Sequence, residues 1–210
     1  SLPGAIGIAL FISLLWWFGV HGQSVVNGVV TSLLTANALA NSELLRSSGE
    51  LVVGQGAHIV TQQFLDSFLI LSGSGITFGI VVAMLFTAKS QQYKSLGKVS
   101  IFPALFNINE PVIFGTPIVM NPILVIPFIV APIVSTTLLY WGTKLGIIGI
   151  TTGVNVPWTL PGPIYAYLIT GGSISATIGV LVTLIVPAII YYPFFKIYDE
   201  QKYKEETQGE

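Results

Sequence analysis

The sequence predicts an all-α integral membrane domain with about four transmembrane helices, two re-entrant or broken helical elements and an interfacial helix. Three observations carry that prediction. Hydrophobic residues make up 52% of the chain and charged residues 8%, with a mean hydropathy of +0.80, whereas an ordinary soluble domain is about one quarter charged. Uncharged stretches near the length of about 20 residues that a crossing requires recur along the chain. Pro and Gly clusters interrupt other apolar stretches, and irregular backbone at membrane depth persists only where protein or a water-filled cavity satisfies it. A net charge of −1 provides no basic field, so nucleic acid is not an expected partner. With no cysteine there is no disulfide framework, thiolate metal site or cysteine nucleophile. No metal or cofactor is expected.

Leu2 to Val20, 19 residues without a charge, is the first predicted span. No charged amino-terminal region and no small-residue cleavage site accompany it, so a signal peptide is not expected. Ser1-Leu2-Pro3-Gly4 opening straight into apolar sequence suits a boundary within a longer chain. Trp16 and Trp17 near the end of the span suit an interfacial aromatic belt. His21 has Gly19 and Gly22 beside it, so backbone or ligand can approach its ring. On residue type alone it reads equally as a headgroup-level histidine and as a site residue. Ser24 to Ala40 is apolar but laced with Asn27, Asn37, Ser and Thr, a pattern for a helix packed on protein or lying at the interface. Asn41 to Gly56 has loop chemistry, and His58 beyond it reads as a surface histidine.

Val60 to Ala88 reads as a second span, with Gln62, Gln63 and Asp66 at its start and Ser72-Gly73-Ser74-Gly75 interrupting it; Asp66 is expected to cap the helix at the interface rather than to face a cavity. Lys89 to Lys98 holds three of the eight basic residues and no acid, which marks a cytoplasmic loop, and the lysines of the tail after Tyr192 place that tail, including 199–210, on the same side. An even number of crossings must separate the two. Val119 to Tyr140 and Ser173 to Phe194 supply two clean spans. Ile101 to Thr116 and Ile147 to Thr170 must then be re-entrant or broken.

The chain is organised around Ile101 to Tyr140, which has a single charge in forty residues. That charge is Glu110, within Asn107-Ile108-Asn109-Glu110-Pro111. A carboxylate at the centre of a membrane segment costs about 2.5 to 3.5 kcal/mol on insertion scales and so marks a functional site. Proline disfavours helix at the preceding residue, so the helix is predicted to break at Glu110 and restart at Pro111. The freed amides of the second half-helix could then hold a carboxylate or substrate oxygens. Discontinuous helices of this kind build many transporter sites. The plainer alternative is a snorkelling Glu110 beside an ordinary proline kink. Gly153 to Pro163 is equally broken, with three prolines and two glycines, and carries Trp158 within backbone that only protein or a water-filled cavity can satisfy.

The words FNINEP (Phe106 to Pro111), FGTPIVMNP (Phe114 to Pro122) and FGVHG (Phe18 to Gly22) resemble the membrane IIC subunit of bacterial sugar phosphotransferase systems, in the lactose, cellobiose and diacetylchitobiose family. The resemblance runs through the whole of 1–210, read as a single membrane transport domain, and implies the carboxyl-terminal, sugar-binding half of a longer permease. It implies a multi-pass location in the bacterial cell membrane and a homodimer formed through the amino-terminal half. It also implies import of a disaccharide whose 6-hydroxyl is phosphorylated by a cytoplasmic IIB phosphocarrier partner. By resemblance Glu110 would bond that hydroxyl and act as general base, His21 and Asn109 would hold neighbouring hydroxyls, the amides after Pro111 others, and Trp158 would stack on a ring. The rival from another class is an ion-coupled secondary sugar transporter in which Glu110 and Asp66 bind a proton or Na⁺. A membrane hydrolase is disfavoured because no nucleophile lies in a recognisable elbow.

Overall fold

The structure, a computed structural model, describes residues 1–208, and the last two residues of the expected 199–210 tail lie outside the described residues. Helices α1 (Leu2–Trp17) and α2 (Gly22–Ser48) are followed by the short α3 (Gln62–Phe64), which widens into a π turn at Leu65–Leu69. Then come α4 (Phe78–Thr87), α5 (Gln91–Leu105), the six-residue α6 (Glu110–Gly115), α7 (Val125–Lys144), α8 (Gly162–Ile169) and α9 (Ile174–Gln208). No strand forms among the described residues. The all-α prediction therefore holds, while several element boundaries do not.

Two of the four expected spans are continuous helices of crossing length, α7 with 20 residues and α9 with 35. At 1.5 Å per residue α9 is about 50 Å long, so its polar carboxyl-terminal turns extend well past a bilayer core of about 30 Å. The span expected at Leu2 to Val20 is a helix of 16 residues, apolar but short, that ends when Gly19 turns the chain at φ +80°. The span expected at Val60 to Ala88 is broken. Ser72, Gly73, Gly75 and Ile76 all have positive φ, so the Ser-Gly repeat unwinds the helix instead of merely easing helix packing.

Two predicted loops are helical. Asn41 to Ser48 continues α2, because Asn41 is wholly buried as an anchor and Leu44, Leu45 and Arg46 are good helix formers; the helix stops at Gly49, φ +79°. The lysine-rich Lys89 to Lys98 begins α5 at Gln91, because acids on α9 satisfy its free amides. Asp199 accepts the N–H groups of Lys89 and Ser90 (2.8 and 3.0 Å), and Glu206 accepts those of Gln91 and Gln92 (2.9 and 3.0 Å). These bonds hold the two lysine-rich segments together at one end of the molecule.

Helix α9 is the hub, packing on α7, α4 and α8, while α1 packs on α7 and α4 on α5. In lipid such contacts depend on close fit rather than on the hydrophobic effect. A Cβ on Gly79 would lie 2.2 Å from the Ala188 backbone, so α4 and α9 touch main chain to main chain there. The broken segments hold their backbone groups through asparagines. Buried Asn41 donates to the carbonyls of His58 (2.8 Å) and Thr151 (2.9 Å) and accepts the His58 N–H (2.7 Å), and Asn37 donates to Val60 (2.9 Å). One amide side chain supplies both donors and an acceptor, which suits it to unwound backbone away from water. His58 itself is exposed, as expected, and contributes through its main chain.

Candidate functional site

The chain between α5 and α6 opens from Phe106 to Asn109, with Asn107 left-handed at φ +64°. Glu110 and Pro111 form the first turn of α6, so the break falls one residue earlier than predicted: Asn109 is the cap, and Pro111 sits where its missing N–H costs nothing. The expectation that amides after Pro111 stand free for a ligand is not met. The N–H groups of Val112 and Ile113 both bond the Asn109 carbonyl at 2.9 Å, because so short a helix closes its first turn on its own cap.

On the facing side, α1 and α2 meet at the turn carrying His21. A Cβ on Gly22 would lie 2.2 Å from the Ile12 carbonyl oxygen, so only glycine permits this approach of α2 to α1. The His21 ring caps α2: Nδ1 accepts the Ser24 N–H at 3.2 Å and lies 2.8 Å from the Ser24 hydroxyl. Accepting that amide assigns the proton of the neutral ring to Nε2. Nε2 points across the gap to Glu110 Oε1 at 3.9 Å, and both side chains are about half exposed. The separation is too long for a direct hydrogen bond. A donor and an acceptor thus stand too close for an oxygen atom to fit between them, but an oxygen about 2.8 Å from each can bridge the pair from the cleft side.

This gap opens into a cleft of about 310 Å³ bordered by the end of α1, the first turns of α2, the Gly73-Ser74 turn, the Asn107 to Glu110 break and Trp158. Small-ligand sites start near this size and combine apolar walls with a few convergent polar groups. All four residues singled out in the sequence, His21, Asn109, Glu110 and Trp158, border it. Asn109 differs from the others. It is buried, and its NH₂ donates to the Ser74 carbonyl (2.6 Å) and the Thr77 hydroxyl (2.9 Å), which leaves only its carbonyl oxygen uncommitted. Trp158 is half exposed at the rim.

Sequence reasoning missed Trp16, Gln23, Asn27 and Asn107 as wall residues. Trp16, read as an interfacial residue, is buried with its ring centroid 4.5 Å from that of His21. Its neighbour Trp17 points elsewhere and donates to the Asn121 carbonyl at 3.0 Å. Two adjacent tryptophans on a helix face directions about 100° apart, and only the position of His21 could have told which one turned inward. Asp66 does not border the cleft; its carboxylate accepts the Gln62 amide at 3.0 Å. A larger concavity of about 440 Å³ lies between α4 and α9. It is walled by aliphatic and aromatic side chains such as Val82, Ile185 and Ile189, and the Tyr192 hydroxyl is the one polar side-chain group among its lining residues.

Comparison with known proteins gives one consistent family. The model of the family described as "Phosphotransferase system, EIIC" matches residues 1–132. The chain is 42% identical over 210 residues to the lichenan permease IIC component of Bacillus subtilis (strain 168), covering 100% of this chain and 45% of that protein. It is 43% identical over 210 residues to the cellobiose-specific EIIC component of Geobacillus stearothermophilus, covering 98% and 45%. The crystal structure of ChbC, the IIC component of an N,N′-diacetylchitobiose-specific phosphotransferase system, is similar with a TM-score of 0.93 and 42% identity, over 99% of this chain and 47% of that one. The chain spans about half the length of the relatives it matches. Together with the broken-helix cleft, these matches place the chain in the phosphotransferase system EIIC family.

Proposed function

We propose that this chain is the sugar-binding and translocating domain of a phosphotransferase-system permease that imports a disaccharide of cellobiose, lactose or chitobiose type. The relatives are named for such sugars. The observation that carries the reading is the 3.9 Å gap between His21 Nε2 and Glu110 Oε1 at the wall of the cleft. A sugar hydroxyl bridging the pair from the cleft side, about 2.8 Å from each, would accept from the His21 N–H and donate to the Glu110 carboxylate. The substrate 6-hydroxyl suits this position: Glu110 takes its proton as the oxygen attacks a phosphoryl group carried by a IIB partner, the bond from phosphorus to the IIB carrier residue breaks with its electron pair returning to that residue, and His21 holds the attacking oxygen in line. General-base assistance of this kind is worth about 10² to 10⁴ in rate. Trp158 stacks on a ring, and the side-chain oxygen Oδ1 of Asn109 accepts from a further hydroxyl. IIB is named as part of the same protein in the lactose-specific EIICB relatives.

In this reading the domain sits in a multi-pass bacterial plasma-membrane protein, with the lysine-rich end formed by α5 and α9 facing the cytoplasm. The half of the permease preceding this chain supplies the homodimer contacts. An ion-coupled transporter with a paired acid site has no support from the cleft, whose wall holds one acid, Glu110. The test is uptake of cellobiose, lactose and N,N′-diacetylchitobiose by vesicles holding the full permease. Accumulation of sugar phosphate only when IIB and a phosphoryl donor are inside is the expected result. Concentrative uptake driven by an ion gradient without any phosphoryl donor would overturn it.

A further inference from the structure

Asn107 ties two other broken stretches of backbone to its own. Its Oδ1 accepts the Ser72 N–H at 2.7 Å, and its Nδ2 donates to the carbonyls of Trp158 (2.7 Å) and Leu160 (2.9 Å). Both amide hydrogens are therefore used on the loop that bears Trp158, and the acceptor is used on the turn that follows the π segment. The residue itself stands at φ +64°, a conformation in which asparagine is among the few side chains other than glycine to be tolerated. The Trp158 loop has little else to fix it around the indole: a turn bond joins Leu160 N–H to the Pro157 carbonyl at 3.1 Å, and the end of the loop is tied to α8 where the Pro161 carbonyl accepts the N–H groups of Ile164 (2.9 Å) and Tyr165 (3.0 Å). Glu110, in contrast, is set by the first turn of α6, which Asn109 anchors through Ser74 and Thr77. The two sides of the cleft are thus held by different asparagines.

Resting on the sugar-binding reading above, we propose that Asn107 is a positioning residue for substrate affinity, docking the 157–161 loop on the α5–α6 break so that the Trp158 indole meets the sugar across from Glu110. Two carbonyl acceptors converging on one NH₂ make the substitution Asn107→Asp selective. The carboxylate can still accept the Ser72 N–H, but it faces the Trp158 and Leu160 carbonyls with no hydrogen to give, so repulsion replaces both bonds and the loop lifts away. The Glu110 and His21 side chains keep their places, and Asn107→Gly, which brings no charge into the cleft, separates loss of the docking from the field of the new carboxylate on Glu110.

The experiment is a double-mutant cycle on the full-length permease with Asn107→Asp, Trp158→Ala and both together. Equilibrium binding is measured with cellobiose, lactose and N,N′-diacetylchitobiose, and phosphoryl transfer from IIB is measured across sugar concentrations. Each single change should weaken binding about tenfold, the scale of one well-placed aromatic contact. The double change should be no weaker than Trp158→Ala by more than about twofold, since residues acting through one contact are not additive. KM should rise while kcat stays within about twofold, a split that general destabilisation of the fold does not produce. Asn107→Gly keeps the left-handed backbone and removes all three bonds; it carries the same cycle if the aspartate variant fails to fold, with the same non-additive result expected. Additive losses, or a fall in kcat equal to the fall in kcat/KM, on a wild-type permease that binds sugar would overturn the role of Asn107 alone. A wild-type permease that binds none of the three sugars would overturn both this role and the reading it rests on.

Discussion

At the scale of single residues, the cleft depends on side chains whose value lies in what they leave room for. His21 presents Nε2 to Glu110 because Nδ1 is held by the Ser24 amide, and that amide is in place because α2 begins at Gly22 hard against the main chain of α1. A methyl at Gly22 meets the Ile12 carbonyl oxygen at 2.2 Å, a backbone atom with no rotamer to escape to. Gly22→Ala is therefore expected to push α2 off α1 and carry His21 away from Glu110. Overpacking of this kind costs about 1 to 3 kcal/mol. In thermal unfolding of the purified permease the variant should melt several degrees lower, and it should bind sugar more weakly even at temperatures where it remains folded. A variant with unchanged melting and binding would show that the helices do not approach this closely. Gly73 is a second such residue: at φ +85°, any Cβ would lie 2.3 Å from the Asn109 side chain.

At the scale of elements, broken helices are stabilised from outside themselves. The start of α5 is the plainest case, since its first amides end on acids of α9 more than a hundred residues away. The N–H groups of Gln91 and Gln92 bonded to Glu206, then the Ser90 hydroxyl and Lys202, hold its carboxyl below the usual glutamate range. A group with a lowered folded pKa stabilises the fold above its unfolded value and loses that effect as pH falls through the folded one. Glu206→Gln should accordingly lower the melting temperature at pH 7, and the difference from wild type should vanish as pH is taken down through the carboxylate range. A difference that persists unchanged at the acid end would mean the charge plays no part. The sequence hid this contact because composition marks Lys89 to Lys98 as loop, and only the return of α9 makes the stretch a capped helix.

At the scale of the whole molecule, what could be read from the sequence follows from the range of the forces involved. The all-α class, the spans at α7 and α9 and the polar break before Pro111 come from local composition, and each is legible. Breaks at Phe106 to Asn109 and Gly153 to Pro161 are likewise written in proline, glycine and asparagine. Other boundaries depend on distant partners. The helix of α2 runs on to Ser48 because Asn41 finds His58 and Thr151, and Val60 to Ala88 unwinds because Gly73 and Gly75 fit against Asn109 and Phe128. The convergence of His21 and Glu110 was legible through motif words rather than periodicity. Trp16 and Asn107 were not, since an indole pairs equally well with an interface and an asparagine with a turn. The lysine-rich segments that were expected on one side of the membrane are joined at one end of the fold by Asp199 and Glu206.

The central claim is that Glu110 and His21 together border the place where a sugar hydroxyl reacts, and Glu110→Gln tests it most directly. The amide keeps the size and can still bond a hydroxyl, but it cannot take a proton. Equilibrium sugar binding and single-turnover phosphoryl transfer from IIB are measured side by side on the full permease carrying this change. Measurable binding with phosphoryl transfer at saturating sugar slowed by about 10² or more is the expected result. Weakened binding with transfer otherwise undiminished at saturating sugar would reduce Glu110 to a binding contact worth about 1.5 to 3 kcal/mol. Normal binding together with normal transfer would contradict the account and remove Glu110 from the site.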